Sequence, residues 1–166
     1  MNWSYRYCIF LNFCLMNTFL NYDTGVIPAA LVQIQHEIQL SHPQVAYLGS
    51  LVYLGLCTSS LFVSSIFNRF SAPRVIAFNV FLNAIACFVF SMYSNLWILY
   101  AMRFLLGFTQ AFVVIYAPVW INEFSPSAAS TRWMAALNVS ALLGVLLGYT
   151  LTAVILNYFS HYAGWR

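Results

Sequence analysis

Hydrophobic residues occupy five long runs of the chain, and short polar gaps separate these runs. A helix needs about 20 apolar residues to cross the ~30 Å hydrocarbon core of a bilayer, and each run is close to that length. The predicted spans are residues 7–27, 43–67, 75–93, 96–120 and 133–159. The runs are continuous and lack the alternating pattern of transmembrane β-strands. The pattern therefore predicts an all-α, polytopic membrane helix bundle with five transmembrane helices in one domain, residues 1–166.

The polar gaps differ in character. Residues 29–39 (ALVQIQHEIQL) mix apolar and polar positions, so this segment either extends the first helix or lies along the membrane interface. A tight basic connection at residues 68–74 joins the second and third runs, and a turn at Ser94 and Asn95 joins the third and fourth. Such short connections predict that consecutive helices are antiparallel neighbours.

The composition agrees with a lipid environment. The chain is 63% hydrophobic and 5% charged, whereas about 25% of the residues in soluble domains are charged. Soluble enzymes and nucleic-acid-binding proteins are therefore excluded. All six basic residues are arginines, and they are spread along the chain without the basic patch that a nucleic acid requires. The expected surroundings are membrane lipid.

The arginines predict the orientation of the chain. Arg6 precedes the first span, Arg69 and Arg74 lie between the second and third, and Arg132 lies between the fourth and fifth. All four fall on the same side of a five-span topology, and positive charge concentrates on the cytoplasmic side. We predict a multi-pass protein with a cytoplasmic amino terminus, in a membrane that the sequence does not specify.

Residues that carry metal or catalytic chemistry are scattered. The cysteines at positions 8, 14, 57 and 87 lie within apolar runs without the paired spacing of metal sites, and we interpret them as buried small hydrophobes. The histidines lie far apart in polar gaps. No nucleophile has a base at usable spacing within a span. The sequence thus predicts no enzyme, no metal and no cofactor.

Two charges of opposite sign are predicted at membrane depth. Asp23 lies near the outer end of the first span, and Arg103 lies about eight residues into the fourth. Each would cost about 2.5 to 3.5 kcal/mol at a helix centre unless it faced protein, water or a partner. Both fall in the outer half of the membrane, where they could meet. They form either a proton-responsive switch, in which protonation of Asp23 removes the attraction, or a purely structural ion pair.

Small residues recur at every fourth position in two spans. Gly107 and Ala111 continue the spacing from Arg103 in the fourth span. The fifth span repeats it at positions 136, 140, 144 and 148, where the last two residues are Gly144 and Gly148. This spacing places small residues along one helix face and allows close approach of another backbone.

Three strings resemble the first half of a major facilitator superfamily transporter, most like the sugar porters. They are residues 21–27 (NYDTGVI), 103–107 (RFLLG) and 118–126 (PVWINEFSP), in the family's order and at its helix ends. Residues 164–166 (GWR) resemble an element before the family's sixth span. The resemblance implies transport of a small sugar-like or polyol-like solute by alternating access.

The resemblance also implies roles for single residues. Asp23 and Arg103 take the positions of the proton-coupling pair in the symporting sugar porters. Asn138 falls where the family places a glutamine that contacts sugar hydroxyls, and it keeps the amide. Arg69, Glu123 and Arg132 fall in the cytoplasmic gate.

The gate departs from the family pattern at several positions. Asn68 stands at the family's acidic position, and Arg74 is displaced from the family's place for it. Ser130 stands where the family has an arginine, and Arg132 follows two residues later. The usual inner-gate salt bridges are therefore either absent or made by Arg69, Arg74 and Arg132.

Two alternatives remain open at this stage. Ala117-Pro118 resembles an Ala-Pro at the end of the fourth span of the Spinster-like lipid and lysolipid transporters. Residues 147–149 (LGY) resemble a Leu-Gly-Tyr in their fifth span. The chain also holds five predicted spans, where each half of the superfamily has six. It is therefore expected either to belong to a transporter that includes a carboxy-terminal half, or to be a reduced, non-transporting membrane interaction protein. The latter would bind a partner membrane protein along an exposed seam of Gly144 and Gly148.

Overall fold

Five α-helices follow one another in the computed structural model, which describes residues 3–126 and 129–159. In chain order they are α1 (Trp3–Ile38), α2 (His42–Arg69), α3 (Ala72–Met92), α4 (Leu96–Phe124) and α5 (Ser130–Phe159). The described part of the chain contains no strand. The predicted all-α class is confirmed, and residues 164–166 lie outside the described residues.

Four helices of the described chain, α2 to α5, are long and apolar enough to cross a membrane. Many of their large hydrophobic side chains point away from the protein, among them Leu61, Trp97 and Leu142. Lipid rather than water is the favourable solvent for such a surface. The prediction of a polytopic membrane helix bundle is therefore confirmed. The 36-residue α1 is more polar, and its crossing of the membrane stays a prediction.

Helix α1 continues beyond the predicted span to Ile38, so the segment 29–39 extends this helix. Gln39 follows with a φ of 53°, in the left-handed region. The backbone N–H of Leu40 then donates to the carbonyl oxygen of Gln35 at 3.1 Å, which is the bond of a Schellman motif. This motif ends α1 and satisfies one of its last carbonyls.

The next helices begin where the sequence supplies capping groups. The backbone N–H of Ser41 donates to Oε1 of Gln44 at 2.9 Å before α2, as in a capping box. Ser71 precedes α3, and Pro73 occupies its first turn, where a missing N–H costs nothing. Oδ1 of Asn95 accepts a hydrogen bond of 3.0 Å from the backbone N–H of Trp97 at the start of α4. The short connections are thus fixed locally.

The helices contribute to two compact units. The first unit combines α1 up to Ala30 with the end of α4 from Tyr116 and with α5. The second unit contains the end of α1, the helices α2 and α3, and α4 up to Ile115.

The second unit has a core cluster between its helices. Val63 of α2, Val75 of α3 and the α4 residues Ala111 and Phe112 form this cluster. Each of these side chains is at most 9% exposed. The cluster therefore holds the three helices together by apolar packing.

The cysteines are placed differently from the prediction. Cys8, Cys57 and Cys87 are exposed, and Cys14 is half-buried. The prediction of buried small hydrophobes was wrong for the exposed three. In a membrane helix an apolar position is as easily directed to lipid as to protein, so hydrophobicity does not distinguish the two faces.

Candidate functional site

Arg103 lies inside the second unit and is only 3% exposed. Its guanidinium carbon Cζ lies 4.6 Å from the ring centroid of Phe90 on α3. An arginine over an aromatic face gains a cation–π attraction that increases when the pair is shielded from water. A buried charge in a transmembrane helix is costly and marks a candidate functional site.

Asp23 is half-buried on α1 in the first unit. It lies two residues before Gly25, within the string 21–27 that carries the family resemblance. Arg103 belongs to the second unit. The pairing of Asp23 with Arg103 stays a prediction.

Glycines bring α5 into backbone contact with α1. A Cβ atom at Gly144 would overlap the carbonyl oxygen of Thr18, and one at Gly148 would overlap the carbonyl oxygen of Tyr22. Both glycines are buried against α1. The expectation of an exposed glycine seam that awaits a partner protein is therefore wrong, because α1 of the same chain already covers it.

Polar side chains reinforce the α1–α5 contact. Nδ2 of Asn17 donates to the carbonyl oxygen of Leu137 at 2.8 Å and to Oγ of Ser140 at 3.2 Å. Oγ1 of Thr18 donates to the carbonyl oxygen of Ser140 at 3.0 Å. Asn17 is only 8% exposed, so these bonds satisfy a polar group that lipid would not. Asn17 was not among the predicted site residues, although an asparagine within an apolar run is a usable signal.

Asn138 follows Leu137 on α5, and its side chain is exposed. Its amide makes no hydrogen bond to any residue in the described part of the chain. An asparagine amide offers two donors and one acceptor. Asn138 is therefore available to a ligand or to another protein segment at this position on α5.

The predicted gate residues are all exposed at helix ends. Arg69 is the last residue of α2, Glu123 lies in the last turn of α4, and Arg132 lies in the first turn of α5. Glu123 and Arg132 both belong to the first unit. As far as the structure describes the chain, these two side chains form no ion pair. Their role in a gate stays a prediction.

Gly107 and Ala111 face other helices of the second unit. A Cβ atom at Gly107 would overlap the carbonyl oxygen of Val52 on α2. The contact is reciprocal, because a Cβ atom at Gly55 would overlap the carbonyl oxygen of Phe104 on α4. Ala111 is completely buried. Close approach of α2 and α4 thus requires glycine on both helices.

An aromatic cluster at one end of the first unit was not anticipated. The rings of Phe10 and Trp133 stack with centroids 4.4 Å apart. Trp120 stacks on Trp133 at 6.4 Å and contacts Phe13 at 5.5 Å. Trp120 lies within the string 118–126, so this motif packs against α1 and α5 through its aromatic side chain.

Arg6 adds a polar contact beside this cluster. Its Nη1 donates to the carbonyl oxygen of Phe124, the last residue of α4, at 3.2 Å. A cation is favourable at a helix carboxyl end, where carbonyl groups lack helical partners. From the sequence alone, Arg6 indicated only the orientation of the chain.

The residues that the structure describes hold no group of three histidine, cysteine or acidic side chains that could bind an ion. The chemistry of the described helices is that of buried amides, hydroxyls and a small number of charges.

These features define a polytopic membrane helix bundle with polar groups placed between its helices. The chain belongs to the Major Facilitator Superfamily, which it matches over residues 11–166. The resemblance inferred from the three sequence strings is thereby confirmed.

Named relatives include several sugar and polyol transporters. The D-xylose transporter of Levilactobacillus brevis is 26% identical over 147 residues, which are 87% of this chain and 31% of that protein. Sugar transport protein 1 of Arabidopsis thaliana is 28% identical over 121 residues, or 73% of this chain and 22% of that protein. Probable polyol transporter 4 of Arabidopsis thaliana is 29% identical over 136 residues, or 81% of this chain and 26% of that protein.

The chain spans about a third or less of the length of these curated relatives. No solved structure matches the chain. The sequence match therefore establishes the family.

Proposed function

We propose that the chain contributes to a transporter that moves small polyhydroxylated solutes, such as pentoses or polyols, across a membrane. The observation that carries this proposal is the family match together with relatives named for D-xylose, sugar and polyol transport. In the superfamily the substrate site lies near the midplane between two halves, which rock to give alternating access. The complete transporter therefore includes protein beyond the five helices described above, supplied by the carboxy-terminal half or by a partner membrane protein.

Asn138 is the proposed solute contact. Its exposed amide, which the described residues leave without a hydrogen bond, matches hydroxyl groups that both donate and accept. Removing an amide that hydrogen-bonds a substrate hydroxyl weakens recognition without disturbing a buried core. An asparagine-to-glutamine change keeps the amide and adds one methylene group.

The test is uptake of labelled D-xylose, a hexitol and a lysolipid by cells that express the complete transporter. We expect uptake of the pentose or the polyol, a marked loss in Asn138→Ala and partial activity in Asn138→Gln. Asn157→Ala is the matched control, because Asn157 is also exposed on α5 but lies on another face of the helix. Lysolipid transport without polyol uptake would instead support the Spinster-like alternative. Absence of all transport would support a non-transporting interaction protein.

Asp23 and Arg103 are the proposed coupling charges. Arg103 is buried within membrane-spanning α4, where an unbalanced charge would be expensive. Protonation of Asp23 would remove its attraction to a nearby cation and favour separation of the helices that carry the two residues. Arg69, Glu123 and Arg132 are proposed as gate residues, since their exposed side chains are available to pair in another conformation.

The proposed orientation places the amino terminus in the cytoplasm. Arg69 and Arg74 support it, because both are exposed at the α2–α3 connection. The test is labelling of single cysteines at His42 and Ser71 after the native cysteines have been replaced. We expect position 42 to react from outside sealed cells and position 71 to react only after permeabilisation. Reaction of position 71 in sealed cells would reverse the orientation.

A further inference from the structure

The second unit contains an apolar pocket that shares Val75 and Phe112 with the core cluster but is lined by neither Arg103 nor Arg69. It lies between α2, α3 and α4 and has a volume of about 410 Å³, within the range of about 300 to 1,000 Å³ that is usual for small-molecule sites. Phenylalanines dominate its walls: Phe70, which directly follows α2, Phe78 from α3, and Phe108 and Phe112 from α4. Such a surface suits a hydrocarbon chain.

One end of this pocket is cationic. Arg74, in the first turn of α3, lines the pocket. Its side chain is exposed and makes no ion pair or hydrogen bond with the described residues. None of the described residues that line the pocket is acidic. The arginine therefore presents an uncompensated positive charge at the edge of an apolar cavity.

The order of these groups along α3 matches an amphiphile. The lining residues of this helix run from Arg74 through Phe78 to Leu82, which corresponds to about 12 Å of helix at 1.5 Å per residue. Because α3 is apolar enough to cross the membrane, this path leads from a helix end into hydrocarbon depth. A bound molecule would have its charge at the helix end and its apolar part further inside.

We propose that this pocket binds an anionic phospholipid from the surrounding leaflet, with an acyl chain against the phenylalanines and the phosphate at Arg74. Charge complementarity selects this occupant, since one unneutralised arginine meets a headgroup that carries net negative charge. The inference rests on the membrane location of the chain and is independent of the solute proposed above. A failure of solute transport would leave it intact.

The experiment is native mass spectrometry of the delipidated full-length protein, titrated with phosphatidylglycerol or phosphatidylcholine of identical acyl chains. We expect one phosphatidylglycerol to be retained preferentially. Arg74→Gln should weaken its binding about fivefold, the effect of one arginine near a membrane surface. Arg69→Gln is the matched control, because Arg69 is exposed beside the same connection but does not line the pocket. Phosphatidylglycerol binding should be unchanged in this variant.

Two further measurements distinguish binding of the whole lipid from binding of its phosphate alone. Leu82→Trp should reduce the binding of both lipids by filling the pocket, while inorganic phosphate should not displace phosphatidylglycerol, because the acyl chain contributes to binding. Equal retention of the two lipids, or equal effects of Arg69→Gln and Arg74→Gln, would overturn the proposal. Absence of any retained lipid would do so as well and would assign the pocket to a protein segment.

Discussion

The α1–α5 interface of the first unit and the α2–α4 interface of the second both bring two helices into backbone contact. Between α2 and α4, Gly107 meets the carbonyl of Val52, and Gly55 meets that of Phe104. A hydrogen bond also joins the starts of α2 and α4, where Oη of Tyr100 donates to the carbonyl oxygen of Gln44 at 3.0 Å. Between α1 and α5, glycines are again present, but there Asn17 and Thr18 donate hydrogen bonds directly beside the glycine contacts.

The difference shows two ways to associate helices in lipid. Lipid tails are as apolar as leucine, so helices associate through close packing and hydrogen bonds rather than through the hydrophobic effect. The glycine contacts of α2 and α4 require close approach of the two backbones and are lost if the backbones move apart. The hydrogen bonds of α1 and α5 add to the glycine contacts, and such bonds contribute about 0.6 kcal/mol on average between membrane helices. Substitutions in each interface should therefore have different consequences.

The largest effect is expected at Gly107. Gly107→Ala places a Cβ against the backbone of Val52, and relief requires a shift of the α2–α4 packing. Overpacking of this kind costs about 1 to 3 kcal/mol, which would appear in the free energy of unfolding measured in mixed micelles. Gly49→Ala is the control, because nothing lies within 4 Å of a Cβ at that position. Equal stability of the two variants would contradict the close contact of α2 and α4.

A smaller effect is expected at Asn17. Asn17→Leu removes the bonds to Leu137 and Ser140. Hydrogen bonds between membrane helices contribute about 0.6 kcal/mol on average and up to about 1.7 kcal/mol. The same unfolding measurement should show a loss in that range. Asn12→Leu, an exposed asparagine on the same helix, should cause no loss. A loss as large as that of Gly107→Ala would remove the distinction between the two interfaces.

The smallest effect is expected at Arg6, which lies outside both interfaces. Arg6→Gln weakens the contact with the carbonyl oxygen of Phe124, and a cation at a helix carboxyl end is worth about 0.3 to 1 kcal/mol. Arg132→Gln serves as the comparison, since Arg132 is exposed and makes no hydrogen bond to the described chain. The loss should shrink at high salt in Arg6→Gln only. A salt-independent loss would assign the role of Arg6 to packing.

Much of the fold follows from the sequence for a simple physical reason. A helix that crosses lipid must be long and apolar, and such runs are visible without a structure. The positions of α2 to α5 were accordingly predicted to within a few residues. The polar extension of α1 to Ile38 was left open, because a mixed segment is equally suited to a helix end and to an interface. The structure places the segment in α1, which ends where the N–H of Leu40 bonds to the carbonyl of Gln35.

The site was less predictable than the fold. Spacing alone placed Gly144 and Gly148 on one helix face, but it did not identify α1 as the neighbour, since small residues permit close approach by any helix. The same limit applies to the cysteines, whose exposure depends on which face meets lipid. The aromatic stack of Trp120 on Trp133 joins residues from two helices. Such a contact depends on the packing of the helices, which periodicity does not specify.

The most direct test of the proposed coupled transport is solute accumulation driven by a pH gradient in proteoliposomes of the complete transporter. Asp23→Asn mimics the protonated acid, so we predict that accumulation is lost while solute exchange at equal pH persists. Glu37→Gln is the control, because Glu37 is exposed near the end of the same helix, and it should retain both activities. Arg103→Ala should lower the amount of folded protein, and the double variant with Asp23→Asn should recover part of it. Unchanged accumulation in Asp23→Asn, or additive losses in the double variant, would contradict the coupling role of these two charges.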